Sequence, residues 1–411
     1  MSTQGDTPTR GAAVVRRRRA VAVAAALTLA ALGATAALAA SSAPARGKVV
    51  VIAHVPSPGF PAFPLVVGDD IWEGTYTSAS GSSSSPSHVF EFSASGALLK
   101  NFVVQGQDLS QTHGVQVATT DARGDLVLLD DTSGRVLLMN PKTGDQTQYG
   151  TVPQIPPCSS DGNSQPCSQS KVALTPEPDY AVWGTDGSLY ITDYQQAVIW
   201  RLPPGGGKAQ VWLTSPLLDG VIFGTAGIAE LPDHHTLVFD QASNADASGG
   251  NPSTGKLYTV TIEPDGKPGP LQELWQSPPA AAPDGFALTK SGHIYMALVG
   301  PSANDIVELT LTGKQIATFG TPITGANGTS IPFDEPTGVS FLGTELVIAN
   351  QSYAAGDTAH MALLGLGTGE AGAPTYVPKD AGPPLPKVKA KPKKPKKPKR
   401  KKKKTKRNGS G

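Results

Sequence analysis

The stretch Pro178-Asp179-Tyr180-Ala181-Val182-Trp183, followed by Asp186-Gly187-Ser188-Leu189-Tyr190-Ile191-Thr192-Asp193, sets out a pattern that recurs along the chain. A short apolar run opens on a small or polar residue, a Gly-centred turn reverses it, and a second β-type run closes on a polar residue. A second copy is Pro283-Asp284-Gly285-Phe286-Ala287-Leu288 with Ser291-Gly292-His293-Ile294-Tyr295-Met296-Ala297. A third is Pro336-Thr337-Gly338-Val339-Ser340-Phe341 with Glu345-Leu346-Val347-Ile348-Ala349-Asn350. β-formers around a Gly turn read as hairpins. Hairpins repeated at a steady spacing read as a propeller or a solenoid.

Working outward, six units can be placed, starting at Phe60, His113-Gly114, Pro178, Thr225-Ala226-Gly227, Pro283 and Pro336. In each, a third run meets a Gly turn (Gly96, Gly144, Gly205, Gly266, Gly313, Gly369) and a fourth run follows. In the sixth unit that fourth run is Tyr376-Val377. Four antiparallel strands repeated six times predict an all-β, six-bladed β-propeller over residues 46–380. The units are too long and too hairpin-like for a parallel solenoid. The early run Val49-Val50-Val51-Ile52 is expected to pair with the last blade, fastening the ring and leaving no open edge.

The two ends differ from this body. Arg16 to Arg19 precede an Ala/Val/Leu stretch from Ala20 to Ala40, with small-x-small sites at Ala37-Leu38-Ala39 and Ala43-Pro44-Ala45. A basic segment, an apolar segment and such a site predict an export signal over residues 1–45. The alternative is an uncleaved anchor helix, because about 21 residues at about 1.5 Å each just span a bilayer. The two cysteines, Cys158 and Cys167, bracket a polar loop and read as one local disulfide in an exported protein. These features, with an Ala/Gly/Pro-rich composition, predict a secreted or cell-envelope-associated bacterial protein.

The net charge of +1 hides a segregation. Of 34 basic residues, 15 lie in 387–407 and 5 in the first 20, whereas 32 of the 33 acidic residues lie in 21–386, leaving that region at −18. So acidic a body does not bind nucleic acid through its own surface. Residues 381–411 read as a disordered tail, in which Pro392, Pro395 and Pro398 among lysines favour an extended chain. Its charge density suits a polyanion, with strong salt dependence. The expected partners are an anionic cell-wall polymer or a membrane surface, with nucleic acid reachable only through the tail, and the alternative is a solvated, solubilising tail. The protein is expected to be a monomer.

The repeated apolar opening followed by D-G-x-L-Y-x-T-D resembles the gluconolactonase/regucalcin-like propellers, and also the NHL-repeat and strictosidine synthase-like ones. The resemblance covers most of 48–379. It implies a six-bladed propeller with a small-molecule site at the channel mouth. In the lactonase branch it implies a divalent cation (Ca, Mg, Mn or Zn) held by oxygen ligands from the first strands of several blades, acting on a lactone's ester bond. Carried over by residue, Asp284 of Pro283-Asp284-Gly285 matches the family's Asp motif, as metal ligand or general base. Asp179 stands where a middle-blade Asn is expected. Ala226 replaces a ligand Asn, and Phe60-Pro61-Ala62 stands where Phe-Pro-Glu is expected, so the metal site reads as degenerate. His113, opening the second blade, is a candidate to bind ligand or relay a proton.

Each candidate has a plainer role. Asp179 and Asp284 can cap turns, and a lone His in a turn can be structural. Asp130, Asp193, Asp240 and Asn350, closing second strands, can satisfy backbone groups between blades. Two functions therefore stand: a metal-dependent lactone hydrolase, or a non-enzymatic propeller whose same face binds a ligand or partner.

Overall fold

The computed structural model describes residues 43–76, 85–131, 133–158, 166–170, 174–220, 223–243 and 254–384. The export signal up to residue 42 and the basic tail from 385 lie outside them. Blade 1 comprises Pro61–Val67, Asp70–Thr75, His88–Ser93 and Leu98–Val103. Blade 2 comprises Val115–Thr120, Leu126–Asp130, Arg135–Met139 and Gln146–Thr151, with the short Gly207–Lys208 added in parallel at its outer edge. Blade 3 comprises Pro178–Trp183, Leu189–Asp193, Val198–Leu202 and Gln210–Thr214. Blade 4 comprises Ile228–Glu230, Thr236–Gln241, Lys256–Thr261 and Gln272–Gln276. Blade 5 comprises Ala282–Leu288, His293–Val299, Asp305–Thr310 and Gln315–Phe319.

Blade 6 closes the ring. Pro336–Leu342, Glu345–Asn350 and Ala362–Gly367 form its inner three strands, and the early strand Val49–His54 pairs antiparallel with Ala362–Gly367 as the fourth. The expectation for Val49–Ile52 is met. Tyr376-Val377 does not occupy the outer position, because that edge is already paired. The chain beyond Gly367 instead runs as a strap across the turn end of the blades. Gly372 bridges Thr289 and donates its N–H to the Gly343 carbonyl. The Tyr376 ring packs 4.3 Å from His234 of blade 4, and the Ala381 carbonyl accepts from Ala122 N–H of blade 2.

The core lies between blades. Each middle strand has two buried faces, so Leu126–Asp130 and Leu189–Asp193 are buried throughout. That is why they read as continuous apolar runs instead of alternating ones. Trp183 and Trp200 fill the layer between blades 2 and 3, and Phe239 and Tyr258 that between blades 3 and 4. Cys158 and Cys167 are disulfide-bonded. Among the described residues no helix is long and apolar enough to cross a membrane.

One irregularity builds the channel mouth. In four blades the ladder slips just after the proline that opens the inner strand: Pro61/Pro64, Pro178/Ala181, Pro283/Phe286 and Pro336/Val339. Such bulges re-aim side chains beside functional sites. Here they carry Ala62-Phe63, Asp179-Tyr180, Asp284-Gly285 and Thr337-Gly338, and they crowd one another. A Cβ on Gly285 would sit 2.3 Å from the Tyr180 hydroxyl and 2.9 Å from Gly338 Cα, so only glycine fits.

Candidate functional site

Asp179 and Asp284, far apart in sequence and on blades 3 and 5, lie close enough at the channel mouth for the charge of one to raise the other. Asp179 is buried, and its Oδ1 accepts from Gln116 Nε2 at 2.8 Å. Asp284 is half-buried, and its Oδ1 accepts from the Tyr180 hydroxyl at 3.1 Å. Tyr180 packs edge-on against Phe63 at 4.6 Å, so these rings lie just beneath the carboxylates.

Further acids join them. Asp131, buried at the end of a blade 2 strand, lies beside the Tyr76 hydroxyl, whose hydrogen bond works against the effect of burial on its carboxyl. Glu177 accepts from Tyr76 at 2.5 Å and from Gln195. Asp240, fully buried, accepts from the backbone N–H of Ala226 and Gly227, each at 3.1 Å. Burial raises the Asp179 carboxyl well above the ordinary range, and the charges of Asp284, Asp131, Glu177 and Asp240 push it further. Burial and then Glu177 do the same to Asp131, and burial and then Asp284 to Asp240. Asp284 is raised by burial to about 6, held from rising further by hydrogen bonds from Tyr180 and the Gly285 backbone.

None of these five carboxyl groups takes part in an ion pair among the described residues. Buried charge is retained when it is paired or holds a metal, and is otherwise neutralised by protons. The Oε1 of Gln116 is also buried without a donor among the described residues. Among the described residues the mouth thus gathers oxygen acceptors with no paired positive charge.

The absent ligands have left a mark. Ala62 and Ala226 present only backbone here. Glu73 Oε1 accepts from the N–H of Ala62 at 2.8 Å and of Phe63 at 3.1 Å, as Asp240 does for Ala226 and Gly227. Glu73 is fully buried, and desolvation lifts its carboxyl to about 8. The plainer reading of the polar residues closing second strands fits Asp193 and Asn350, which accept from backbone N–H groups of Glu177, Gln195, Gln196 and Asp334. Asp240 does this and also contributes charge to the mouth.

His113 is buried, and its Nδ1 and Nε2 each lie 2.9 Å from a backbone carbonyl, those of Gln111 and Ser85. Both ring nitrogens are engaged with the loop around it. Gln116, Asp131, Tyr180 and Glu177 were not singled out from sequence. The signals were a polar residue inside Val115-Gln116-Val117, an Asp130-Asp131 doublet, and an acid just before Pro178.

A second cluster lies on blade 5. His293, Glu308 and Glu370 hold ligand-type atoms within 4.8 Å of one another, the trio of that kind found among the described residues. It already contains a cation: Arg46 pairs with Glu308 at 2.5 Å and with Glu370 at 3.7 Å, and hydrogen-bonds Tyr295. Glu370 is lowered to about 2, where hydrogen bonds from Ser291, His293 and Tyr295 outweigh its partial burial. This cluster clamps the start of the propeller to blade 5.

No protein-family model matches the chain, and no curated protein matches it. Solved structures do. Regucalcin from Agrobacterium tumefaciens, described as a calcium-binding protein, is 15% identical, with a TM-score of 0.52 over 80% of this chain and 99% of that one. A luciferin-regenerating enzyme is 12% identical, with a TM-score of 0.50 over 80% and 100%. A Bacteroides thetaiotaomicron protein of unknown function is 14% identical, with a TM-score of 0.53 over 79% and 76%. At such identities the likeness is one of fold, and what it establishes is that the chain is a six-bladed β-propeller built like regucalcin.

Proposed function

We propose that the channel mouth binds a divalent cation and that the protein is a lactonase-type hydrolase with a reduced ligand set. The observation that carries this is a group of five buried or half-buried carboxyls that raise one another and have no ion-pair partner among the described residues. Asp179 and Asp284 would hold the ion, with the Gln116 amide beside Asp179. An all-oxygen donor set favours Ca²⁺, Mg²⁺ or Mn²⁺ over Zn²⁺. When bound, such an ion polarises an ester carbonyl and makes a water more acidic.

The chain's own groups then have defined parts. Asp284, raised to about 6, is poised to take a proton from water near neutral pH. The Tyr180 hydroxyl fixes which Asp284 oxygen is free, and the Phe63 and Tyr180 rings exclude bulk water from below. The test is a panel of aldonolactones assayed with added Ca²⁺, Mg²⁺ or Mn²⁺. Metal-dependent turnover lost in Asp284→Asn supports the hydrolase.

A second reading is favoured by Ala62 and Ala226, which offer no side-chain ligand. On it the same mouth binds a ligand without chemistry. Cation binding with no turnover across the panel selects this reading. On either reading we propose that the protein is exported, in keeping with the disulfide's need for an oxidising compartment. The 387–407 tail would then hold it to a cell-wall polyanion or membrane surface.

A further inference from the structure

The central channel widens below the Phe63–Tyr180 pair into a cavity of about 560 Å³ that reaches the turn end of the blades. This lies within the range of small-molecule sites, which are apolar with a few placed polar groups. Its walls are the inner strands, including Leu65, Val182, Ile228, Phe286, Val339 and Phe341. The strap from Ala371 to Tyr376 forms its cover, held by Gly372 on blades 5 and 6 and by Tyr376 against His234.

One polar group in this lining is unfinished. Glu230 ends the inner strand of blade 4 and lines the cavity with a side chain only 4% exposed. Its Oε2 meets His234 Nδ1 at 2.8 Å, but its Oε1 is buried with no hydrogen-bond partner among the described residues. A buried acceptor left unmade costs about 1–3 kcal/mol. Lys290, the opposite charge in this lining, is exposed at the rim.

We propose that this cavity is a second small-molecule site, separate from the acidic mouth, taking a largely apolar molecule with one N–H or O–H donor directed at Glu230 Oε1. The site does not depend on a cation at the mouth.

The probe is N-phenyl-1-naphthylamine, an apolar fluorophore with one N–H. It is titrated into the full-length protein, with Ala287→Phe to fill the cavity and Glu230→Leu to remove the acceptor. Thermal melts confirm folding, and Ala229→Leu replaces Ala287→Phe if that variant melts early. The expected result is saturable one-to-one binding, weakened at least tenfold in each variant and unchanged by EDTA. Absence of saturable binding, or binding unaffected by the filling variant, would overturn the proposal.

Discussion

At the scale of single residues, the mouth depends on protons as well as on oxygens. Asp284 is raised to about 6, so below that pH it holds a proton and above it a carboxylate. Divalent-ion affinity should therefore rise with pH through about 6, and Asp284→Asn should remove the part of that rise that Asp284 contributes. Titrations at pH 5, 6 and 7.5 check this. Glu73 gives a stability prediction of opposite sense. Its folded carboxyl is at about 8 against an unfolded value near 4.5, so the native state holds the proton longer. Below about 4.5 the two states do not differ. Between there and about 8 stability falls as pH rises, by at most ~1.4 kcal/mol per pH unit. Glu73→Gln keeps the acceptor for Ala62 and Phe63 and should make the decline shallower, seen as a smaller drop in melting temperature from pH 5 to 8 than in the unaltered chain. Of this chemistry, Pro283-Asp284-Gly285 and Asp179 were legible because a bulge motif carries them. Gln116, Asp131 and Glu177 were not, since what makes them matter is convergence from separate blades.

At the scale of elements, closure and strap do different work. The strand Val49–His54 covers the edge of Ala362–Gly367, every residue of which is buried. Deleting residues 43–54 should leave that edge open, lower the melting temperature sharply and drive association between molecules. Light scattering with a thermal melt reads both. Arg46 is the tether just before that strand. Arg46→Ala removes the cation that Glu308, 1% exposed, shares with Glu370, and should cost about 1–3 kcal/mol in denaturant unfolding. The closing strand was legible because Val49-Val50-Val51-Ile52 is a β-run outside the repeats. The strap was not: 371–384 has no hydrophobic period, and its place is set by backbone hydrogen bonds to turns of three blades. Hence Tyr376-Val377 resembles a fourth strand in sequence and is something else in space.

At the scale of the molecule, the architecture was legible because six units each repeat the same turn glycines and the same doubly buried middle strands. Activity is less legible, because one ring accepts many mouths. This ring keeps two carboxylates in bulges, while Ala62 in a third bulge and Ala226 before the first strand of blade 4 keep only backbone, and Asp131 and Asp240 add acids from neighbouring strands. Its acidic body also sets the behaviour of the whole chain. With the body at −18 and 15 basic residues in 387–407, removing 387–411 should release the protein from isolated cell envelopes at low salt. Retention equal to that of the full chain would remove the tail from the account. The central claim is that the mouth is a divalent-cation site, and the most direct measurement is calorimetric titration of Ca²⁺ into chelator-stripped protein at pH 7.5. One ion per chain is expected, with affinity reduced at least tenfold in Asp179→Asn and in Asp284→Asn while both variants remain folded. No saturable heat with Ca²⁺, Mg²⁺ or Mn²⁺, or binding indifferent to both substitutions, would contradict it.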